Sequence, residues 1–355
     1  MIASRREVLA RLGFGCLFIP AILRAPRSVL GTLLFDPEAP LVPAKLVPSN
    51  PFVRDGKAVV AMVHGRDVPA MLQEGLRLLG GLDRLPLAGT RVLLKPNVVN
   101  DRPPPATTSP ALVAAAVAMA RSAGAADVTV GDSSGIIRFP TSGNLKATGI
   151  QAAAEQAGAR VRSLDEATPQ PWVRVEPPQA KALPTFYVSR LAYEADVLIN
   201  LPVIKTHRFA HYSCCLKNLV GLAHPRNRPS VTFLMGDWHE RIAELNLAVP
   251  PQLHIADGTT VMIAGGPTSG TAAQAMCCCS VAIRSRSTWW RWRWCAPTAL
   301  GTRLRDTQFG RSGRSSGRSS WGWASADRTG WRWWRSRLIP TTDLREWQRR
   351  FGGML

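Results

Sequence analysis

The sequence predicts an α/β protein whose parallel or mostly parallel sheet is covered by helices on both faces. Three observations predict this class. Short β-branched runs alternate with segments of helical spacing from about residue 58 to residue 256, as in strands joined by crossover helices. Residues 195–201 are mainly apolar, which is typical of a strand buried on both faces. Polar motifs follow several predicted strands directly, where parallel sheets bind ligands.

Each predicted element has a local reason in the sequence. The strands are short β-branched or apolar runs bounded by turn residues, and they are residues 58–63, 91–94, 127–130, 159–164, 195–201 and 252–256. The helices have apolar residues at helical spacing, and they are residues 69–79, 110–123, 149–158, 212–222 and 237–247. Thr107, Thr108 and Ser109 precede the second helix and provide an N-cap.

The first thirty residues are predicted to be a twin-arginine export signal. Residues 4–9 contain the pair Arg5 and Arg6, and an apolar run at 12–23 follows them. A membrane anchor or a buried helix is the alternative, but the run is short for a bilayer and Pro20 interrupts it. The twin-arginine translocase is therefore a predicted partner. The protein is expected to be periplasmic or membrane-tethered, touching the membrane only through this signal.

The composition predicts five segments along the chain. They are a signal at residues 1–30, a Pro-rich linker at 31–50, an α/β domain at 51–275, an aberrant or disordered segment at 276–338, and a tail at 339–355 in a restored reading frame.

The fourth segment is predicted to be the product of a frameshift near Ala275. Between Met276 and Leu338 there are thirteen Arg and two Asp, with no Lys or Glu, which gives a net +11 of the chain's +20. The same segment holds nine of the twelve Trp, although disordered segments are poor in Trp. Reading its codons in a shifted frame allows ordinary α/β sequence. Because the rest of the chain is only mildly basic, no nucleic-acid partner is expected, and a nucleic-acid or membrane-active role for the Arg-Trp repeats is disfavoured.

Five motifs occur in order along the predicted domain: residues 94–97 (LKPN), 131–135 (GDSSG), 199–207 (INLPVIKTH), 216–221 (LKNLVG) and 257–267 (DG followed by GGP). With these motifs, residues 58–270 resemble the domain of unknown function 362 family. The resemblance implies an Asp-Pro-x-Ala-x-Asp element after the Gly-Pro segment, and this element appears here only in the shifted frame. Some members of the family carry ferredoxin-like cysteine motifs, which would imply a redox role. The seven cysteines of this chain lack that spacing, so the cofactor stays unknown.

The residues themselves indicate a site for an anionic small molecule. Three residues are candidates for catalysis, because they can exchange protons or clamp charge: Lys205, His207 and Asp132. Seven more are candidates for binding the ligand, because ammonium groups neutralise an anion while amides and hydroxyls orient it. These are Lys95, Asn97, Ser133, Asn200, Lys217, Asn218 and Asp257.

Alternatives stay open for each of these groups. Each lysine could be a solvated surface residue, His207 a structural histidine, and Asp132 a turn cap. Asp132 and Asp257 could instead hold a metal ion together. For the whole chain, the alternatives to a ligand-transforming domain are a non-enzymatic exported binding protein and an inactive product of a disrupted gene.

Overall fold

A computed structural model describes most of the predicted domain. The described residues are 37–46, 50–54, 57–135, 138, 140–165, 171–208, 210–225, 227–228, 238–281 and 333–337. The predicted signal and the predicted C-terminal tail lie outside them. Within the described ranges, no helix combines the length and the apolar character that a membrane span requires.

Strands and helices alternate along the described chain. The strands are β1 Leu41–Val42, β2 Val53–Arg54, β3 Lys57–Ala58, β4 Val60–His64, β5 Arg91–Pro96, β6 Asp127–Asp132, β7 Arg160–Ser163, β8 Trp172–Val175, β9 Phe186–Ser189, β10 Val197–Leu201, β11 Val203–His207, β12 His211–Ser213, β13 Leu253–Gly265, β14 Gly270–Val281 and β15 Trp333–Arg337. The helices are α1 Val68–Leu79, α2 Pro110–Ser122, α3 Thr141–Ala147, α4 Ile150–Gln156, α5 Arg190–Glu194, α6 Cys215–Asn218, a 3-10 helix Leu219–Leu222, and α7 Trp238–Ala248.

The main sheet has the strand order β15-β4-β14-β13-β10-β5-β6-β7. Strands β13, β10, β5, β6 and β7 pair in parallel, and β14 pairs antiparallel with both of its neighbours. Strand β11 pairs in parallel with β13 and antiparallel with β12. The predicted class, an α/β fold with a mostly parallel sheet, is confirmed.

Successive residues of the central strands pack into two separate cores. Val92 and Leu94 of β5 lie in a cluster with residues of α1, α2 and α4. Leu93 lies in a second cluster with residues of the 3-10 helix and α7. Because side chains alternate across a strand, these clusters occupy opposite faces of the sheet. The sheet is thus covered on both faces, as the apolar runs predicted.

Two elements differ from the sequence prediction. The predicted helix at 212–222 begins as strand β12 and becomes helical only at Cys215. The predicted strand at 252–256 is the start of β13, which forms a long hairpin with β14. The register of the hairpin shifts at two places in β13, between Gly258 and Thr260 and between Met262 and Ala264. The strand continues past both places.

Regular structure also extends beyond the predicted domain end at residue 275. Strand β14 continues to Val281, where its backbone pairs with both β13 and β4. Strand β15, which lies inside the segment predicted to be disordered, pairs in parallel with β4. Strand pairing uses backbone groups, so it can proceed through a run of small and apolar residues such as 276–281. Residues 282–332 lie outside the described part of the chain.

Candidate functional site

The order of strands in the sheet reverses beside β5. The chain runs outward from β5 to β6 and β7, then returns to place β10 on the other side of β5. The carboxyl ends of β5 and β10 therefore flank a topological switch point, where open α/β sheets bind ligands. Lys95 of β5 and Asn200 of β10 are register partners at this place. The motifs at 94–97 and 199–207 are thus neighbours in space.

A buried ion pair occupies the end of β5. The Lys95 Nζ atom lies 2.6 Å from Asp132 Oδ1, and neither side chain is more than 4% exposed. The second carboxylate oxygen of Asp132 accepts a hydrogen bond from the Val98 N–H at 2.7 Å, and Lys95 also donates to the Pro96 carbonyl at 2.9 Å. Burial lowers the pKa of Lys95, while the Asp132 carboxylate opposes that shift.

Gly221 packs directly against this ion pair. A Cβ atom built on Gly221 would overlap Asp132 Oδ1 and would lie 3.0 Å from Lys95 Nζ. A residue with a side chain would therefore displace the pair. The glycine of the motif at 216–221 is required here for close approach of the backbone.

Lys205 enters the same region from β11. Its side chain is only 1% exposed, and its Nζ atom donates to the Ala106 carbonyl at 2.5 Å and to Asn97 Oδ1 at 3.2 Å. Burial is the largest cause of a lowered pKa, and the positive charges of Lys217 and Lys95 add to it against the opposing charge of Asp132. Together these effects bring the pKa of Lys205 to about 7.

Lys217 and Arg228 bring two more positive charges close to Lys95. Burial, followed by repulsion from Arg228 and Lys95, lowers the pKa of Lys217 to about 8, although the residue as a whole is partly exposed. Burial also lowers the pKa of Arg228 to about 10, against the attraction of Asp165 and Asp132. The Arg228 guanidinium therefore stays charged at neutral pH.

Arg228 forms hydrogen bonds to two segments close to the ion pair, the loop after β6 and the residue after the 3-10 helix. Its Nη2 atom donates to Ser133 Oγ at 2.5 Å and its Nε atom to the Ala223 carbonyl at 2.8 Å. The Nη1 atom donates to the Ser134 carbonyl. Ser133, a predicted ligand-binding residue, is therefore held by a protein side chain.

The predicted amide ligands Asn200 and Asn218 form a buried network beneath Lys95. The Asn218 Nδ2 atom donates to Asn200 Oδ1 at 2.8 Å and, over longer distances, to the carbonyls of Lys95 and Pro96. The Asn200 Nδ2 atom donates to the Cys215 carbonyl at 2.9 Å. These amides hold the backbone that carries the cationic side chains. Asn97 acts similarly, because its Oδ1 atom orients Lys205.

Asp257 and Asp132 form separate interactions. One Asp257 oxygen accepts from the Ser109 N–H at 2.7 Å, at the start of α2, and the other accepts from the backbone and hydroxyl of Thr259. Asp132 binds the Lys95 ammonium. Across the described ranges, no three His, Cys, Asp or Glu side chains are grouped so that they could hold a metal ion.

His207 lies at the end of β11, next to the turn into β12. Its side chain is partly exposed, and its Nδ1 atom accepts a hydrogen bond from the Ala210 N–H at 3.1 Å. This bond stabilises the turn, so His207 has a structural role in this part of the chain.

The comparison with protein families concerns the part of the chain that holds this site. Residues 92–282 match the family described as Domain of unknown function (DUF362). The chain belongs to the DUF362 family. A thylakoid-associated protein, sll1697, of Synechocystis sp. is 29% identical over 218 residues, which cover 57% of this chain and 61% of that protein. The chain thus spans about three fifths of the length of this relative.

Among solved structures, the DUF362 chain is similar to the lactate racemase apoprotein from Thermoanaerobacterium thermosaccharolyticum. The TM-score is 0.42 and the sequence identity is 15%, with 59% of this chain and 52% of that chain covered. The chain therefore spans about half the length of the racemase.

The structure brings together four of the residues predicted from the DUF362 motifs: Lys95, Asp132, Lys205 and Lys217. Arg228 and Gly221 complete the cluster, and sequence analysis did not select either as a site residue. Arg228 follows a short Pro-containing stretch without periodicity, so no local pattern indicated it. The sequence alone did not indicate a role for Gly221. The role follows from the position of Asp132, because a Cβ atom at residue 221 would overlap the Asp132 carboxylate.

Proposed function

We propose that the DUF362 domain of this chain binds an anionic small molecule at the carboxyl end of β5. One observation carries the proposal: four cationic side chains lie close together with two carboxylates, Asp132, which is already paired with Lys95, and Asp165, which acts on Arg228. Four positive charges face two negative ones, so the charges of Lys205 and Lys217 exceed what Asp132 and Asp165 balance. A bound anion would supply the missing negative charge.

The physical argument is that buried positive charges repel one another and lose hydration. An unpaired buried charge costs several kcal/mol, on the order of 3–5 when a partner is removed. Proteins retain such arrangements mainly at functional sites. Burial is the largest cause of the lowered pKa values of Lys205 and Lys217. Repulsion adds to it, from Lys217 and Lys95 on Lys205 and from Arg228 and Lys95 on Lys217. An anion would relieve this repulsion.

The geometry also suggests how the cations divide their roles. Arg228 is occupied by Ser133 and Ser134, so it acts as a fixed charge that orders the loop after β6. Lys217 is the one lysine of the cluster that is partly exposed as a residue, so we place the first contact with an incoming anion there. Carboxylates and phosphates are the ligand classes that lysines bind through charge-assisted hydrogen bonds.

Calorimetric titration of inorganic phosphate into the full chain tests this proposal. At low salt and pH 6.5, where both lysines are largely charged, we expect saturable binding of one phosphate. Lys217→Met should weaken it about tenfold or more, as expected for a lost hydrogen bond to a charged group. Lys45→Met is the matched control, because Lys45 is a half-buried lysine that donates to the Ala195 carbonyl away from the cluster. Equal binding by wild type and Lys217→Met would refute the proposal.

The cellular location follows from the N-terminal motif alone. We propose that Arg5 and Arg6 direct the chain to the twin-arginine translocase, so that the anion site works outside the cytoplasm. A non-enzymatic binding protein would show the same phosphate binding. The two classes differ in whether a group at the site carries out chemistry on its ligand.

A further inference from the structure

The Lys205 amine differs from the other buried lysine of the cluster in the partners it has. Lys95 is paired with a carboxylate at 2.6 Å. Lys205 Nζ instead donates to two neutral oxygens, Asn97 Oδ1 and the Ala106 carbonyl. Among the described residues, no carboxylate lies within ion-pair distance of it.

Lys205 donates two hydrogen bonds, which is the number that an uncharged amine can donate. A neutral amine has two N–H bonds and one lone pair, whereas an ammonium has three N–H donors and no acceptor. With both N–H bonds directed at Asn97 and Ala106, the lone pair of an uncharged Lys205 points in the remaining tetrahedral direction. The hydrogen bonds to Asn97 and Ala106 do not use this lone pair, so it can accept a proton.

The charged surroundings favour the uncharged amine. After burial, the groups that act on Lys205 are the ammonium of Lys217, the carboxylate of Asp132 and the ammonium of Lys95, in decreasing order of effect, so the two ammonium groups together outweigh the carboxylate. With a pKa of about 7, much of Lys205 is uncharged at neutral pH. This value is suited to a general base.

We propose that Lys205 is the proton acceptor of the anion site and removes a proton from the carbon next to a carboxylate of the bound molecule. In this step the C–H bond breaks, its electron pair stays on the substrate as an enediolate, and the proton forms the third N–H bond of Lys205. No oxidant or reductant is consumed. The inference rests on the proposed anion site and names its substrate class, a small carboxylate with a hydrogen on the adjacent carbon.

The cluster has the charges that such a step requires. Deprotonation adds a second negative charge to a substrate that is already an anion. Lys217 and the fixed charge of Arg228 can stabilise it, since preorganised charges are effective where water is excluded. Imine formation by Lys205 is less compatible with the geometry. It would remove at least one of the two N–H bonds that Asn97 and Ala106 accept.

Hydrogen exchange in deuterated buffer tests the proposal. The full chain is incubated with glycolate, glycerate, succinate or malonate, and the loss of the proton signal next to the carboxylate is followed by NMR. We expect faster exchange than in buffer for at least one of these acids. In Lys205→Arg the side chain is always positively charged, so this variant should still bind the anion. Its exchange rate should be about 100-fold lower or more, because an arginine does not accept a proton at neutral pH.

Two further measurements separate the outcomes. Lys45→Met should exchange like wild type, and the Lys205 Nζ signal in 15N NMR, assigned by its absence in Lys205→Arg, should titrate near pH 7. Carboxylates that bind without accelerated exchange, or a Lys205 signal that titrates near pH 10, would overturn the inference while leaving the anion site intact. Absence of binding by phosphate and by all four acids would instead remove the proposed function.

Discussion

The Lys95 ammonium and the Asp132 carboxylate meet at 2.6 Å, where two neighbouring parallel strands end. Neither charge has access to bulk water, so each depends on the other. Asp132 also accepts a hydrogen bond from the backbone of Val98 just beyond β5. The pair thereby connects the ends of β5 and β6 and fixes the position of the cationic cluster.

Replacing Asp132 by Asn should strongly destabilise the protein. The change leaves Lys95 buried among Lys205 and Arg228 without a carboxylate, and removing one partner of a buried pair costs about 3–5 kcal/mol. The control is Asp127→Asn in the same strand, where the ion pair with Arg160 is partly exposed, with Arg160 61% and Asp127 28% accessible, and its loss should cost about 1 kcal/mol. Urea denaturation of both variants checks the difference. Similar stabilities would show that Lys95 is uncharged in the folded protein.

Gly221→Ala should disturb the site through its shape. The new methyl group would overlap Asp132 Oδ1, and such overpacking costs about 1–3 kcal/mol. We expect lower stability and at least tenfold weaker phosphate binding. Gly143→Ala is the matched control, because its Cβ would meet nothing closer than 3.9 Å in helix α3. That variant should bind normally and unfold at the same or slightly higher urea concentration. Normal binding by Gly221→Ala would show that the ion pair can move without affecting the site.

The ends of β5 and β6 were predictable because they depend on local pattern. The apolar runs before Lys95 and Asp132 predicted buried strands, and parallel strands place such ends at one edge of the sheet. The sequence did not predict the order of the strands in the sheet. It did predict which strand each motif follows, and the motifs lie at the ends of those strands. This is why Lys95 and Asp132 could be predicted as neighbours.

The roles of the amides and of Arg228 depended on contacts that no local pattern encodes. Asn218 donates to the carbonyl of Lys95, 123 residues away in sequence, and Arg228 donates to Ser133, 95 residues away. Polar residues beside a site are chemically able to bind either a ligand or the backbone. The sequence predicted that Asn200, Asn218 and Asp257 contact a ligand. In the structure, the side chains of these three residues form hydrogen bonds with the protein.

Replacing Arg5 and Arg6 together by Lys should retain the protein in the cytoplasm. The substitution preserves positive charge but removes the planar guanidinium groups. Arg24→Lys combined with Arg27→Lys makes the same chemical change outside the pair and should leave export unchanged. Cell fractionation followed by immunoblotting measures the distribution. Periplasmic delivery of the Arg5 and Arg6 variant would contradict the signal assignment.

Sequencing the gene across codons 270–345 should reveal one base fewer than a continuous family reading frame near codon 275. The reason is the abrupt change in composition at Met276, together with the shifted-frame match to ordinary α/β sequence. A frame-repaired chain should be more soluble and more resistant to urea, because a periodic apolar face can then pack on the sheet. If the repaired chain is less stable than the present one, the frameshift hypothesis fails.

The lowered pKa of Lys205 predicts opposite effects of pH on folding and on binding. Its pKa is about 7 in the folded protein and near the ordinary 10.5 when unfolded. Between these values the unfolded chain binds more protons, so the free energy of unfolding should rise with pH across this window. For Lys205 the gain from pH 7 to pH 9 is about 2 kcal/mol, since one pKa unit corresponds to about 1.4 kcal/mol.

Phosphate binding should fall over the same range, because Lys205 and Lys217 lose their positive charges as the pH rises through about 7 and about 8. Urea denaturation and calorimetry at half-unit steps from pH 6.5 to pH 9 measure the two trends on one sample. Lys205→Met removes the titrating amine, so its stability should change less with pH than that of wild type, and Lys45→Met should follow wild type. If binding and stability rose together with pH, the buried amine would not be the group that titrates. A stability that does not change with pH over this range would instead indicate that Lys205 stays charged in the folded protein until its ordinary pKa.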